Sequence, residues 1–273
     1  MNKKIIFDKI CKDIKSLKIQ GAKDIAKKAF YAYKLIPTEK SRKKLLSLRP
    51  TEALLKNSLK IADKISYRQF IKKLKDNQKK INETVFGIIK DNFVIFTHCH
   101  SSTVIQSLIY AKKNHKKFEV YNTETRPLYQ GRKSAIELKK AGIKVTLFAD
   151  SAAAVALTKT QHTKKADLVL FGADVLYKKG TINKIGSGMF AQIAKRSKIP
   201  LYILSDSLKY SPKNIKIEQR SSEEIWKNHK KINIKNPCFE LIKKKNIQGI
   251  ISELGNQTYA QFLKKVKKKH KLF

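Results

Sequence analysis

From residue 1 to about residue 88, apolar and lysine-rich positions alternate at helical spacing. Ile5, Ile6, Ile10 and Ile14 mark one stripe, and Ile61, Ile65, Phe70, Ile71 and Leu74 mark another. No part of this stretch reads as a strand, so a helical N-terminal domain over residues 1–90 is expected. Two interruptions break the pattern. Gln20-Gly21-Ala22 separates two helical segments, and Leu48-Arg49-Pro50-Thr51 precedes a helix that starts near Glu52. Each reads as a turn followed by a cap. Arg49, beside Pro50 and Thr51 at a helix start, also suits a phosphate.

From Asn92 onward the period changes. Short apolar runs at Phe93–Phe96, Phe118–Tyr121, Val145–Phe148, Leu168–Phe171, Leu201–Leu204 and Gly249–Ile251 alternate with helical segments such as Arg132–Lys140 and Met189–Lys195. That alternation predicts an α/β fold, a Rossmann-like parallel sheet over residues 91–273 with crossover helices. In such a sheet the residues just after each strand meet at one edge. Here they are Thr97-His98-Cys99-His100-Ser101-Ser102, Glu124-Thr125-Arg126-Pro127, Asp150-Ser151-Ala152, Gly172-Ala173-Asp174, and Ser205-Asp206-Ser207 with Lys209. The run Thr181-Ile182-Asn183-Lys184-Ile185-Gly186 reads as the approach to the helix between the last two.

Each of these has a structural explanation as well. Cys99 at a strand end is also a small packable residue, Asp174 a turn former, and Asp150-Ser151 an N-cap for the alanine-rich helix that follows. His98 and His100 lack partners at metal-ligand spacing and suit hydrogen-bonding roles. What the structural explanations do not foresee is that a thiol, imidazoles, carboxylates, an arginine and lysines all converge on one edge.

Charge adds a constraint. The 273 residues carry 61 Lys and Arg against 21 Asp and Glu, a formal net charge of +40. The excess is spread along the chain, as solvated helix faces would spread it, with a modest cluster at 264–271. An anionic partner would also fit this balance, whether nucleic acid, a membrane surface or a phosphorylated substrate, and no RNA-binding pattern of interleaved aromatics is present. Cys11, Cys99 and Cys238 lie far apart, so neither a zinc site nor a disulfide framework is expected. No apolar run reaches membrane length, and the N-terminus lacks a signal-peptide core, so a cytoplasmic setting is expected.

The blocks FTHCHSS, TETRP with YQGR, ADSAA, FGAD and INKIG, in this order, resemble one superfamily. It joins ribose-1,5-bisphosphate isomerases, methylthioribose-1-phosphate isomerases and the alpha, beta and delta subunits of translation initiation factor 2B. The resemblance is dense from about Phe93 to Pro212. Elsewhere KIQGAKDIAKKA resembles the superfamily's IRGAG-type loop, LRPTEALL its RPT segment, and NPCFEL with GIISELG its closing strand region. Cys in the THC segment and Asp in GAD are the isomerase pattern, and TETRP with HCHS is most similar to archaeal ribose-1,5-bisphosphate isomerases.

The resemblance implies an aldose–ketose isomerase converting ribose 1,5-bisphosphate to ribulose 1,5-bisphosphate in nucleoside monophosphate salvage. It implies no cofactor and no metal. It assigns Cys99 as proton acceptor and Asp174 as proton donor. Substrate-binding positions are Gln20, Gly21, Ala22 and Lys23 of the loop, Arg49, Ser101, Ser102, Asn183, Lys184 and Lys209. The roles call for a Cys99 pKa lowered by a helix N-terminus and lysines and an Asp174 pKa raised by burial. Where the superfamily loop carries arginine and glycine, Gln20 and Lys23 stand here, removing a bidentate phosphate ligand. A nucleotide activator (AMP) and a homo-oligomer, built from dimers up to a hexamer, are further implied partners. Two alternatives remain: a non-catalytic subunit like those of initiation factor 2B, and an isomerase of another sugar phosphate such as methylthioribose 1-phosphate.

Overall fold

The computed structural model describes residues 2–213, 215, 217, 219–228 and 232–269. Five helices come first: α1 (Lys3–Lys15), α2 (Ala22–Leu35), α3 (Glu39–Leu48), α4 (Ala53–Ile61) and α5 (Tyr67–Ile88). Their starts follow local chemistry. Thr38 caps α3, and Ser66 with Gln69 forms a reciprocal capping box on α5. They share a core that includes Ile14, Ile25, Phe30, Leu45, Leu54 and Phe70, with Phe30 stacked on Phe70 at 4.4 Å between ring centroids. The inward face of α1 is Phe7, Ile10, Cys11 and Ile14. The stripe expected from Ile5 is corrected: Ile5 is 60% exposed. At about 100° per residue, the nine positions from Ile5 to Ile14 place the two on opposite sides of the helix.

The sheet begins with β1 (Phe93–Thr97), followed by α6 (Ser102–Lys113), β2 (Phe118–Thr123), α7 (Gln130–Lys140), β3 (Lys144–Phe148), α8 (Ala153–Leu157) and β4 (Leu168–Phe171). After β5 (Val175–Tyr177), β6 (Gly180–Lys184) and α9 (Ser187–Arg196) come β7 (Leu201–Leu204), β8 (Phe239–Lys243), β9 (Gly249–Ser252), β10 (Gly255–Gln257) and α10 (Tyr259–Lys269). The seven-stranded sheet runs β3-β2-β1-β4-β7-β9-β10, parallel except for the edge strand β10. Its six parallel strands follow the doubly wound Rossmann order, which reverses direction between β1 and β4.

Alternation along each strand divides the core. Val94, Phe96, Val169, Phe171, Ile203 and Ile250 pack on the side of α9 and α10. Ile95, Leu168, Leu170, Leu204 and Ile251 pack on the other side with α6 and the C-terminal turns of α5, through Ile81, Val85 and Ile89. Burial on both faces explains why these strands read as unbroken apolar runs.

A second, antiparallel sheet, β5-β6-β8, was not expected. The polar run Thr181–Lys184, read as the approach to a helix, is β6 itself, and only Ile185-Gly186 forms the turn into α9. β6 is buried throughout between its two neighbours, so its Thr, Asn and Lys give no apolar signal.

Candidate active site

Cys99 leaves the end of β1 with a left-handed backbone, φ 66°. A non-glycine residue holds that conformation only where its surroundings fix it. The Cys99 amide donates to Thr125 Oγ1 at 3.0 Å, and its carbonyl accepts from Ser134 Oγ at 2.7 Å. The Asp150 carboxylate accepts from the amides of Thr125 (2.9 Å) and Arg126 (2.6 Å), tying the loop after β3 to the loop after β2. This corrects Asp150 as an N-cap: its oxygens serve the neighbouring loop instead, and no side chain caps α8.

His98 is buried, and burial pushes its pKa down to about 4. Its Nε2 lies 2.9 Å from the Ile185 carbonyl, an acceptor only, so Nε2 carries the proton. Nδ1 then accepts from the Thr123 hydroxyl at 2.5 Å. A neutral imidazole thus braces β1, β2 and the turn before α9. His100 reaches Glu137 at 3.1 Å. Both histidines have hydrogen-bonding roles.

The end of β4 approaches the N-terminus of α6 so closely that a Cβ on Gly172 would sit 2.4 Å from Ser101 Oγ. Ser101 caps α6, accepting from the Val104 amide. Asp174 follows directly, its amide bonded to the Ile182 carbonyl at 2.9 Å, which aligns the end of β4 with β6. On β6, Asn183 Nδ2 donates to Ser187 Oγ at 2.9 Å, and Lys184 Nζ lies 3.1 Å from Cys238 Sγ. Lys209 Nζ donates to the Ala173 carbonyl. From the helical side, Gly21 opens α2 with φ 80°. Lys23 Nζ donates to Gln78 Oε1 of α5, and Arg49 Nη2 stands 3.9 Å from Glu52.

The strand ends after β1 and β4, the end of β6 and the two helical corners line one cavity of about 150 Å³. It holds Cys99 and Asp174 together, with Gln20, Gly21, Ala22 and Lys23 from the α1–α2 turn and Arg49 from the α3–α4 corner. Ser101, Ser102, Asn183, Lys184 and Lys209 complete the set named from sequence. Lys18, just before Gln20 in the α1–α2 turn, is exposed and outside the lining. Sequence reasoning missed Gln130, Lys133, Arg220, Cys238 and Phe239 as lining residues. Gln130 and Cys238-Phe239 lie within the quoted YQGR and NPCFEL blocks, whereas Arg220 carries no motif signal.

The electrostatics are lopsided. Six cationic side chains line the cavity (Lys23, Arg49, Lys133, Lys184, Lys209, Arg220) against the acids Asp24, Glu52 and Asp174. Burial pulls the pKa of Lys23 from 10.5 to about 8, against the opposing pull of Asp206. Burial also works against the charge of Lys184, but Cys99, Cys238 and Asp174 together outweigh it and hold its pKa above 10.5. For Cys99 the expected lowering is corrected. Burial raises the thiol from 9.0 to about 11, and the nearby Lys184 charge only moderates the rise. The resting residue is a thiol, because desolvation of the anion exceeds the pull of one lysine. Among the described residues no group of three His, Cys, Asp or Glu could hold a metal ion, and no helix is long and apolar enough to cross a membrane.

The chain matches the initiation factor 2 subunit family over residues 38–258. It belongs to that family. Among its relatives, the ribose 1,5-bisphosphate isomerase of Archaeoglobus fulgidus is 30% identical over 276 residues, spanning 89% of this chain and 86% of the relative. The ribose 1,5-bisphosphate isomerase of Methanocaldococcus jannaschii is 32% identical over 290 residues, spanning 93% and 92%. Among solved structures, translation initiation factor eIF-2B of Pyrococcus horikoshii superposes with a TM-score of 0.81 at 25% identity, covering 92% of this chain and 96% of that one. The family therefore includes both named enzymes and a named translation factor, and the cavity has to separate the two.

Proposed function

We propose that this family member isomerises ribose 1,5-bisphosphate to ribulose 1,5-bisphosphate. That it is a sugar-phosphate isomerase rests on relatives of that name matching nearly its whole length. One observation carries the bisphosphate. Of the described Lys and Arg residues, those that are buried are Lys23, Arg49, Lys184 and Lys209, at 6–9% exposure, and all of them line the cavity that holds Cys99 and Asp174. Burying a cation is costly unless an anion meets it. Glu52 stands beside Arg49, yet six cations against three acids line the cavity, a surplus that suits a ligand with two phosphates.

The chemistry needs only protons moved in order. Cys99, as thiolate, takes the proton from C2 while the C1–ring-oxygen bond breaks and Asp174 protonates that oxygen. A C1–C2 double bond forms. Cys99 then returns its proton to C1 as the C2 hydroxyl gives its proton to the Asp174 carboxylate, leaving a C2 ketone and both side chains as they began. Cys99 must first lose its resting proton, and Lys184 favours that charged form. Such acid–base steps supply on the order of 10² to 10⁴-fold in rate. The pathway context we infer is salvage of nucleoside monophosphates.

The test is an isomerase assay on ribose 1,5-bisphosphate and methylthioribose 1-phosphate in parallel. Turnover of the bisphosphate is expected, lost in Cys99→Ser and Asp174→Asn while ribulose 1,5-bisphosphate still binds. A wild type that binds the bisphosphate and turns over neither sugar refutes the enzyme reading in favour of a scaffold.

A further inference from the structure

Arg220 enters the cavity from outside both sheets. It lies on the long connection between β7 and β8, between the lining residues Lys209 and Cys238, and the connection folds back on itself. The Arg220 amide donates to the Asn236 carbonyl at 3.1 Å, and Gln219 pairs with Pro237 in an antiparallel bridge. Arg220 is thereby set beside the chain that continues into Cys238 and Phe239, both of which line the cavity.

The side chain is built in rather than draped over the rim. Arg220 and Glu224 each keep only 16% side-chain exposure, although neighbouring Trp226 is 56% exposed. Glu224 Oε1 accepts from both Arg220 Nε (3.0 Å) and Nη2 (2.5 Å). Glu224 Oε2 in turn accepts from Asn236 Nδ2 at 3.2 Å, and the same amide donates to the Ser221 carbonyl at 2.8 Å. A second tether comes from the loop after β2, where Arg126 Nη2 donates to the Ile225 carbonyl at 3.4 Å. A covered, carboxylate-oriented guanidinium in a cavity where cations outnumber acids has the form of an oxyanion ligand.

We propose that Arg220 binds a phosphate group of the substrate, oriented by Glu224 as a positioning residue. This rests on the isomerase reading and adds to it a ligand outside every motif that marks the family in this chain. Arg220 contributes through binding, on the side of the cavity where Cys238 and Lys184 stand, and takes no part in proton transfer.

The test reads kcat and KM separately on ribose 1,5-bisphosphate. Arg220→Ala is expected to raise KM about 10- to 100-fold, the scale of one charge-assisted contact, with kcat unchanged within about threefold. Arg220→Lys keeps the charge without the fork and is expected to raise KM about three- to tenfold, with part of the loss recovered at low salt. Glu224→Gln should raise KM by a similar factor. If Arg220 only holds the connection together, the thermal midpoint falls while KM stays put in both Arg220 variants, and the assignment is overturned. Should Arg220→Ala not fold, an unchanged KM in Arg220→Lys overturns it equally. A wild type without isomerase activity overturns the enzyme reading and this inference with it, whereas an active wild type with an unchanged Arg220→Ala overturns this inference alone.

Discussion

The protonation state of Cys99 is open to direct measurement. A shift from 9.0 to about 11 is two units, so at a given neutral pH Cys99 holds a hundredfold less thiolate than an ordinary cysteine. At pH 7 that leaves about one molecule in 10⁴ as thiolate. Because the thiolate is the form that alkylates, the iodoacetamide labelling rate of Cys99, followed by peptide mass spectrometry, should climb about tenfold per pH unit and show no plateau below about pH 10. Steric access scales the whole curve but does not move its plateau, so the readout is independent of how open the cavity is. The linkage has a definite sign. The unfolded chain loses this proton near 9 and the folded chain near 11, so the group's contribution is fully present below pH 9. It is lost as pH rises toward 11, by up to about 3 kcal/mol. Cys99→Ser should remove that part of the alkaline destabilisation. A labelling plateau at pH 8 or below would refute the reasoning, because the thiolate would then be stabilised by the helix N-terminus and lysines despite burial.

Lys184→Ala should lower kcat as well as raise KM, and move the Cys99 labelling curve to higher pH, because its charge opposes the burial of the thiolate; pH-resolved kinetics decide. Lys23→Met should raise the urea midpoint at pH 7 while weakening bisphosphate binding. The wild type gains up to about 3 kcal/mol between pH 8 and 10.5, where the folded lysine has lost its proton and the unfolded one has not, so the variant's advantage should shrink by pH 10. Gly172→Ala should force Ser101 aside, with a measurable loss of substrate affinity and a thermal midpoint lowered by a few degrees.

The central parallel strands were legible because burial on both faces makes them unbroken apolar runs, and the strand ends were legible because small polar and charged residues collect there. Cys99, Asp174 and the cationic set could be named from that rule together with the motifs. The small sheet was not legible. The β6 strand is Gly-Thr-Ile-Asn-Lys; Asn183 and Lys184 line the cavity and Thr181 meets the Tyr259 hydroxyl, so its polar side chains are buried and neither alternation nor apolarity marks it. The face of α1 was misread because four isoleucines in sequence outweighed the phase of the helix. Residue identity alone also misjudged Cys99: a helix start and lysines nearby argue for a thiolate, and only the depth of the site shows that desolvation prevails. Arg220 lay beyond sequence reasoning because its place depends on a chain reversal fixed by Asn236 and Pro237.

The departure at the α1–α2 turn follows a physical logic of its own. The resembled loop carries its arginine before Gly-Ala, whereas here Gln20 is neutral and the cation stands at Lys23, in the first turn of α2. A helix N-terminus disfavours a cation, and burial disfavours it further, which is why Lys23 sits near a pKa of 8 even with Asp206 acting to raise it. Gln78, itself bonded to Asn82 and to the Thr103 carbonyl, supplies a neutral acceptor that fixes the ammonium without cancelling its charge. The charge of Lys23 is therefore costly where it stands, and on the proposed reading a phosphate at the N-terminus of α2 would offset that cost. On that reading, a cation in a buried helical position that phosphate binding would stabilise stands in for the two-pronged grip of arginine.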